Sequence, residues 1–231
     1  MKIIDDGIIK YDKSSFIKTG PLPAEEYLNV EKWRKILNKL KLISVYPHLD
    51  IGYGNISQKR DYQKFNKSNK PQFVITGTQT GKYGTLSGEH YTRVIDYDID
   101  YFQISTMGPL DASSEALTHA AIYELNQSIR AVIHIHHEGI WNGMIRDHSD
   151  ATSKFIPYGT KEMALAVKDC ISRVDNNIFT RNGFYDGKSQ GIFVMKGHHE
   201  GVISYGPNLS TAGNLILKIY KKYVSKKVSF L

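Results

Sequence analysis

The chain has 231 residues, of which 41% are hydrophobic, so it is long enough to bury a sizeable core. Its net charge of +7 favours anionic partners, but the charge comes without a zinc-finger spacing, an RNP-type strand or a basic region, which argues against nucleic acid. This length fits a single domain, 1–231. The sequence has no apolar run of about 18 residues, and its start is acidic where a secretory signal would be apolar, so we expect a cytoplasmic protein that makes no membrane contact.

The first predicted element is a helix in PLPAEEYLNVEKWRKILNKLKLI, after an irregular start. Its apolar residues recur at helical spacing, which predicts a buried stripe of Val30, Trp33, Leu37 and Leu40. The lysines of this segment, and those at 218–227, are predicted to lie on the solvent faces of amphipathic helices.

Short strands follow the helix. The segments 50–59 and 71–82 are predicted strands on either side of the polar segment 60–70, which is interpreted as a hairpin or a surface loop. A further strand is predicted at 100–106.

The second half of the chain alternates helices and strands irregularly. A helix is predicted over 112–127, where Asp111 or Ser113 can cap the free N–H groups. The later elements are a strand at 130–137, a helix at 160–172, strands at 191–197 and 201–206, and a helix at 210–224. This order indicates an α/β fold without a regular doubly wound array.

Three histidines lie within AVIHIHHEG, residues 131–139. Side chains two residues apart on a strand share a face and lie about 6.5 Å apart, so His134 and His136 can converge on one metal ion. His137 points to the opposite face and is not expected to be a ligand. The alternative is that one of the pair is a hydrogen-bonded core residue.

A third nitrogen ligand can come from GHHEG, residues 197–201. The flanking glycines indicate a tight turn that presents His198 or His199 toward a cleft, although a polar hairpin tip would have the same sequence. Three histidines and one open position are typical of catalytic zinc.

Glu115 is the candidate general acid or base, although a carboxylate at a helix start can also simply complement the helix dipole. Ser113 and Ser114 lie beside it, where free N–H groups and hydroxyls can bind phosphate. The glycine-rich segments 52–57 and 76–82 can likewise cradle an anion, or can be plain hairpin turns.

The motifs GNIS, VITGTQTG, SSEALTHAAIY, AVIHIHH, PYGTKEMALAV and GVISYG, in this order, resemble the class II aldolase/adducin family over about residues 25–225. The resemblance implies a three-layer α/β/α fold with a central, mainly antiparallel sheet flanked by helices. It also implies a homo-oligomer, usually a tetramer, with active sites at subunit interfaces.

The activity implied by the resemblance is zinc-dependent retro-aldol cleavage of a phosphorylated ketose through a zinc-stabilised enediolate. Glu115 would be the catalytic carboxylate, and His134 and His136 the first two zinc ligands. The residues that would hold the substrate phosphate are Gly54, Asn55, Thr80, Gly81, Ser113 and Ser114.

One departure concerns the third ligand. Family members commonly have the histidine directly before the glycine, whereas here Glu200 precedes Gly201. His198 is the preferred ligand and His199 the alternative, and another divalent metal could replace Zn²⁺. Two other functions stay open: an epimerase or dehydratase of a sugar phosphate on the same zinc site, and a non-catalytic adducin-like association domain.

Overall fold

The structure is a computed structural model that describes residues 7–62, 68–173 and 186–224. Its strands are β1 (Asp12–Lys18), β2 (Ser44–Val45), β3 (Gly52–Tyr53), β4 (Asn55–Arg60), β5 (Gln72–Thr76), β6 (Tyr91–Asp98), β7 (Gln103–Gly108), β8 (Ala131–His136), β9 (Gly191–Val194) and β10 (Gly201–Gly206). Its helices are α1 (Ala24–Lys39), α2 (Ala116–Leu125), α3 (Glu138–Arg146), α4 (Lys161–Ser172) and α5 (Leu209–Tyr223).

A mainly antiparallel sheet runs through the centre of the described residues. Its eight strands follow the order β1-β7-β6-β5-β4-β8-β10-β9, and β1 pairs parallel with β7 while the other neighbours are antiparallel. The two short strands β2 and β3 form a separate hairpin. The predicted α/β fold with a central, mainly antiparallel sheet is therefore confirmed.

Helices cover both faces of the sheet, so its central strands are buried on both sides. Along β8, Val132 belongs to the core that includes α2 and α4, whereas Ile133 and Ile135 belong to the core that includes α1, α3 and α5. The period of two residues in a strand separates these sets. His134 and His136 consequently share the α2 side of the sheet with Val132.

Helix α1 lies within the predicted helical segment. Val30 and Leu37 are buried as predicted, whereas Trp33 and Leu40 are only partly buried. The lysines of α1, and those of α5 that the structure describes, are exposed, which confirms the predicted solvent faces.

Two charged residues of α1 are buried where the sequence predicted only an apolar stripe. Arg34 Nε donates to Glu31 Oε2 at 2.7 Å, and its other nitrogens donate to the carbonyls of Tyr83 and Gly84. The hydrogen bonds of Arg34 to these carbonyls therefore hold α1 against the segment that follows the glycine-rich residues 76–82.

The predicted helix 112–127 begins later than expected. Helix α2 begins at Ala116, and its first turn has no side-chain cap, so the prediction that Asp111 or Ser113 caps it is wrong. Instead, the Ser113 carbonyl accepts from the N–H of Ala116 and its hydroxyl accepts from the N–H of Glu115, which makes a turn ahead of the helix.

Four of the described strands and helices have no counterpart in the sequence prediction: β1, β2, β6 and α3. β1 is exposed along its whole length at the edge of the sheet, so it shows no alternating hydrophobic pattern. The strand predicted at 100–106 is found at Gln103–Gly108. The segment 60–70 is interpreted as a hairpin or a surface loop. The strands on either side of it, β4 and β5, pair antiparallel, and residues 63–67 lie outside the described residues.

Every helix in the described part of the chain is too short or too polar to span a bilayer.

Candidate functional site

His134 and His136 lie side by side on β8, buried beneath α2. Their Nε2 atoms are 2.9 Å apart, and the Nδ1 of His134 lies 3.2 Å from the carbonyl oxygen of Val202 on β10. A carbonyl only accepts, so this Nδ1 carries a proton.

His198 reaches the same point from the turn between β9 and β10. Its backbone N–H donates to the carbonyl of Met195 and its carbonyl accepts from Gly201, so the turn is closed by two hydrogen bonds. Its ring centroid lies 5.0 Å from that of His134 and 4.5 Å from that of His136.

The other two histidines of these motifs lie elsewhere. His199 is half exposed and packs against Trp141. His137 caps α3, its Nδ1 accepting from the N–H of Ile140. The structure thus brings His198, and not His199, to the pair on β8.

The donor set fits a divalent metal. Each of His134, His136 and His198 offers one nitrogen, and these atoms lie within 4.8 Å of one another in buried surroundings. Nitrogen donors of this kind suit zinc, and buried imidazoles are costly to bring together without a shared ligand. The three histidines could therefore hold a metal ion.

Glu115 lies against this cluster at the start of α2. Its Oε2 is 3.0 Å from the Nε2 of His134, its Oε1 is 3.2 Å from the Nδ1 of His198, and Asn55 Nδ2 donates to Oε2 at 2.9 Å. Burial alone would raise the pKa of Glu115, but attraction by His134, His198 and His136 outweighs it, and the pKa falls well below its usual range. The carboxylate is consequently ionised at neutral pH.

A cleft opens beside Glu115. All the residues that the resemblance assigns to a phosphate line it: Gly54, Asn55, Thr80, Gly81, Ser113 and Ser114. Glycine is required at two of these positions. Gly54 has φ +74°, and a Cβ on Gly81 would lie 2.5 Å from the carbonyl oxygen of Ser44.

A buried polar chain lies behind the carboxylate, on the side of α2. His119 Nδ1 lies 2.7 Å from Ser57 Oγ, which in turn lies 2.8 Å from the hydroxyl of Tyr123. Burial lowers the pKa of His119 to about 3, so this imidazole is neutral in the folded protein.

Three tyrosines of the site had no signal in the sequence. Tyr46 Oη lies 2.7 Å from the Nδ1 of His136, the ring of Tyr53 stacks on the same imidazole, and the ring of Tyr158 stacks on His198 at 3.9 Å. Isolated tyrosines form no spacing pattern, so only the contacts reveal them.

Residues 41–219, more than half of the chain, match the family model of the class II aldolase and adducin N-terminal domain. The chain belongs to the class II aldolase and adducin family. No curated protein matches its sequence.

Solved structures of this family share the fold. An L-fuculose 1-phosphate aldolase superposes with a TM-score of 0.59 at 16% identity, covering 91% of this chain and 90% of its own. The sugar-phosphate aldolase from Thermotoga maritima gives 0.58 at 15%, covering 85% and 91%, and the L-fuculose-1-phosphate aldolase from Thermus thermophilus gives 0.56 at 17%, covering 89% and 94%. At these identities the likeness establishes the fold.

In this member of the class II aldolase and adducin family, residues ahead of the matched range also build the cleft. Gly7 lines the cleft, and its carbonyl accepts from Thr78 Oγ1 at 2.9 Å. Tyr11 donates to the carbonyl of Ala112, next to the two serines, at 2.9 Å. The N-terminal segment thus braces two of the loops that carry the candidate phosphate residues.

Proposed function

We propose that this protein is a zinc-dependent aldolase that cleaves a phosphorylated ketose by retro-aldol chemistry. The observation that carries the proposal is the convergence of three buried histidines and an ionised carboxylate at one end of a cleft lined with neutral hydrogen-bond donors. The family assignment and the sugar-phosphate aldolases among the structural neighbours support it.

His134, His136 and His198 would hold the metal, and another divalent ion could take the place of zinc. A bound ion would supply positive charge that polarises the substrate carbonyl and stabilises the negative charge formed during cleavage. Glu115 touches two of these histidines, so it would lie next to the reacting carbons.

The substrate phosphate would bind to the hydroxyls and backbone groups that line the cleft. Thr80, Ser113 and Ser114 offer hydroxyls there, and Gly54 and Gly81 let the backbone approach a ligand closely. Among the described residues that line the cleft, none is a lysine or an arginine. Neutral donors would therefore select the phosphate, while the net charge of +7 would favour its encounter with the protein.

Glu115 would carry a proton to or from C3, the carbon that loses its bond to C4 in cleavage. Cleavage breaks the bond between C3 and C4 and converts the C4 hydroxyl to an aldehyde as its proton passes to the ionised carboxylate of Glu115, directly or through solvent. It leaves an electron pair on C3 that must take up a proton. In the condensation direction the ionised carboxylate of Glu115 removes that C3 proton, and in the cleavage direction its protonated form returns it. Asn55 would hold the carboxylate in place through its hydrogen bond.

The decisive experiment is an activity screen of zinc-loaded protein against ketose 1-phosphates and 5-phosphates. Dihydroxyacetone phosphate, aldehyde and epimer are monitored together. We expect a ketose 1-phosphate to give dihydroxyacetone phosphate and an aldehyde in equal amounts, and a ketose 5-phosphate to give dihydroxyacetone and a phosphorylated aldehyde. An epimer or a dehydrated product would assign another reaction to the same site. Protein without bound metal and without any turnover would instead favour an association domain.

Substitutions test the individual roles. His134→Ala, His136→Ala and His198→Ala are expected to lose the metal, whereas the exposed neighbour His199→Ala serves as the matched control and should keep it. Retained metal in His198→Ala together with loss in His199→Ala would reassign the third ligand.

Glu115→Gln should retain the metal and lower turnover by about 10²- to 10⁴-fold, because it removes the proton carrier and leaves the histidines intact. A half-reaction isolates this step: the wild type should exchange the C3 proton of dihydroxyacetone phosphate for deuterium in D₂O, and the variant should not. Exchange at the wild-type rate would remove Glu115 from the mechanism.

We also propose that the enzyme is a cytoplasmic homotetramer, as its family resemblance implies. Light scattering of the purified protein checks the assembly, and a monomer at micromolar concentration would overturn it.

A further inference from the structure

The hairpin β2–β3 holds the imidazole of His136 from two sides. The Tyr46 hydroxyl lies 2.7 Å from its Nδ1, and the Tyr53 ring stacks on its face with centroids 5.3 Å apart and planes 27° apart. The two tyrosine rings also contact each other, at 4.7 Å. One histidine of the candidate metal site is therefore positioned by side chains of a hairpin.

His134 shows what such a contact does. The Val202 carbonyl accepts a hydrogen bond from the Nδ1 of this histidine, so its Nε2, which lies 2.9 Å from the Nε2 of His136, is the nitrogen available to a metal. If His136 also carries its proton on Nδ1 and donates it to the Tyr46 hydroxyl, both Nε2 lone pairs point to one place.

We propose that Tyr46 is a positioning residue that holds His136 in the tautomer and orientation in which its Nε2 binds the metal. The proposal rests on the metal site of the proposed function. Partners on the outer nitrogen of a metal-ligating histidine fix its ring and typically contribute a factor of about 10 to 100 in metal affinity.

The hairpin is itself fastened to the rest of the cleft, so the hydroxyl has a defined place. The N–H of Tyr46 donates to the carbonyl of Ile51 across the hairpin at 2.9 Å, and the N–H of Gly52 donates to Gln79 Oε1 at 2.9 Å. Gln79 lines the cleft next to Thr80, so the same hairpin contacts both His136 and the segment that carries a candidate phosphate-binding residue.

Tyr46→Phe tests the proposal, because it removes the hydroxyl and keeps the ring that packs on Tyr53. The zinc dissociation constant is measured with a competing chromophoric chelator at pH 7, and we expect it to rise by about 10- to 100-fold. Tyr101→Phe is the matched control. This tyrosine is 77% exposed and is not among the described residues that line the cleft, so loss of its hydroxyl should leave zinc affinity unchanged.

The outcomes separate this proposal from the function on which it rests. A wild-type protein that binds no divalent metal removes the proposed function, whereas equal zinc affinity in wild type and Tyr46→Phe overturns the role of Tyr46 alone. Thermal unfolding of the metal-free proteins shows whether the variant is folded. Should it not fold, ¹⁵N NMR of the zinc-loaded wild type decides: coordination of His136 through Nε2 supports the proposal, and coordination through Nδ1 overturns it.

Discussion

Replacing Glu31 by Gln is expected to reduce the free energy of unfolding by about 3–5 kcal/mol, because it leaves the cation of Arg34 buried without its counter-charge. Both side chains are inaccessible: Arg34 is 0% exposed and Glu31 3%. The Glu31 carboxylate accepts from Arg34 Nε at 2.7 Å, from the Tyr91 hydroxyl at 2.6 Å and from the N–H of Leu86 at 2.9 Å.

Two further variants at these contacts are expected to change the free energy of unfolding by different amounts. Tyr91→Phe removes one hydrogen bond to a charged acceptor and should cost about 1.5–3 kcal/mol. The double variant Glu31→Leu/Arg34→Met removes both charges, so it should lose up to about 3 kcal/mol less than the sum of its two single variants.

Urea unfolding at pH 7, followed by circular dichroism, measures these differences. The control is Asp50→Asn, which breaks an exposed ion pair with Lys82 of the same 2.7 Å length and should change stability by less than about 1 kcal/mol. A cost for Glu31→Gln no larger than that of the control, or strictly additive single variants, would refute the argument that this is a coupled buried pair.

Three further predictions concern the site and its surroundings. Gly81→Ala should destabilise the protein by about 1–3 kcal/mol in the same assay, since its Cβ would lie 2.5 Å from the backbone oxygen of Ser44; an unchanged urea midpoint would contradict this. Because folding lowers the pKa of His119 from 6.5 to about 3, the unfolded chain takes up its proton first, so stability should be lost as pH falls from about 6.5 toward 3, by up to about 1.4 kcal/mol per pH unit. Unfolding of His119→Gln should show a flatter pH dependence over that range, and an identical slope would dismiss the role of this histidine. Zinc at about 100 times its Kd should stabilise the fold by about 2.7 kcal/mol, seen as a rise in Tm that EDTA reverses, whereas a Tm unaffected by either would argue against a metal site in the native state.

Local patterns in the sequence determined much of the fold. The helix α5 and the strands β8 and β10 lie where their periodicities predict them, because each has one or two faces that must be buried. The same period of two residues is enough to separate His134 and His136 from His137, since strand geometry alone decides which side chains share a face.

Tertiary structure decided what those local patterns leave open. A turn that contains His198 and His199 can present either residue, and only the closure of the turn between β9 and β10 brings His198 to the strand pair. The burial of Arg34 depends on the neighbouring carboxylate of Glu31 and on two carbonyls that lie about 50 residues further along the chain. Tyr46 and His136 are in contact although 90 residues separate them in the sequence. Such contacts carry no periodic signal, because a polar residue is placed in the interior by the particular partner that satisfies it, and that partner is defined only when the chain has folded.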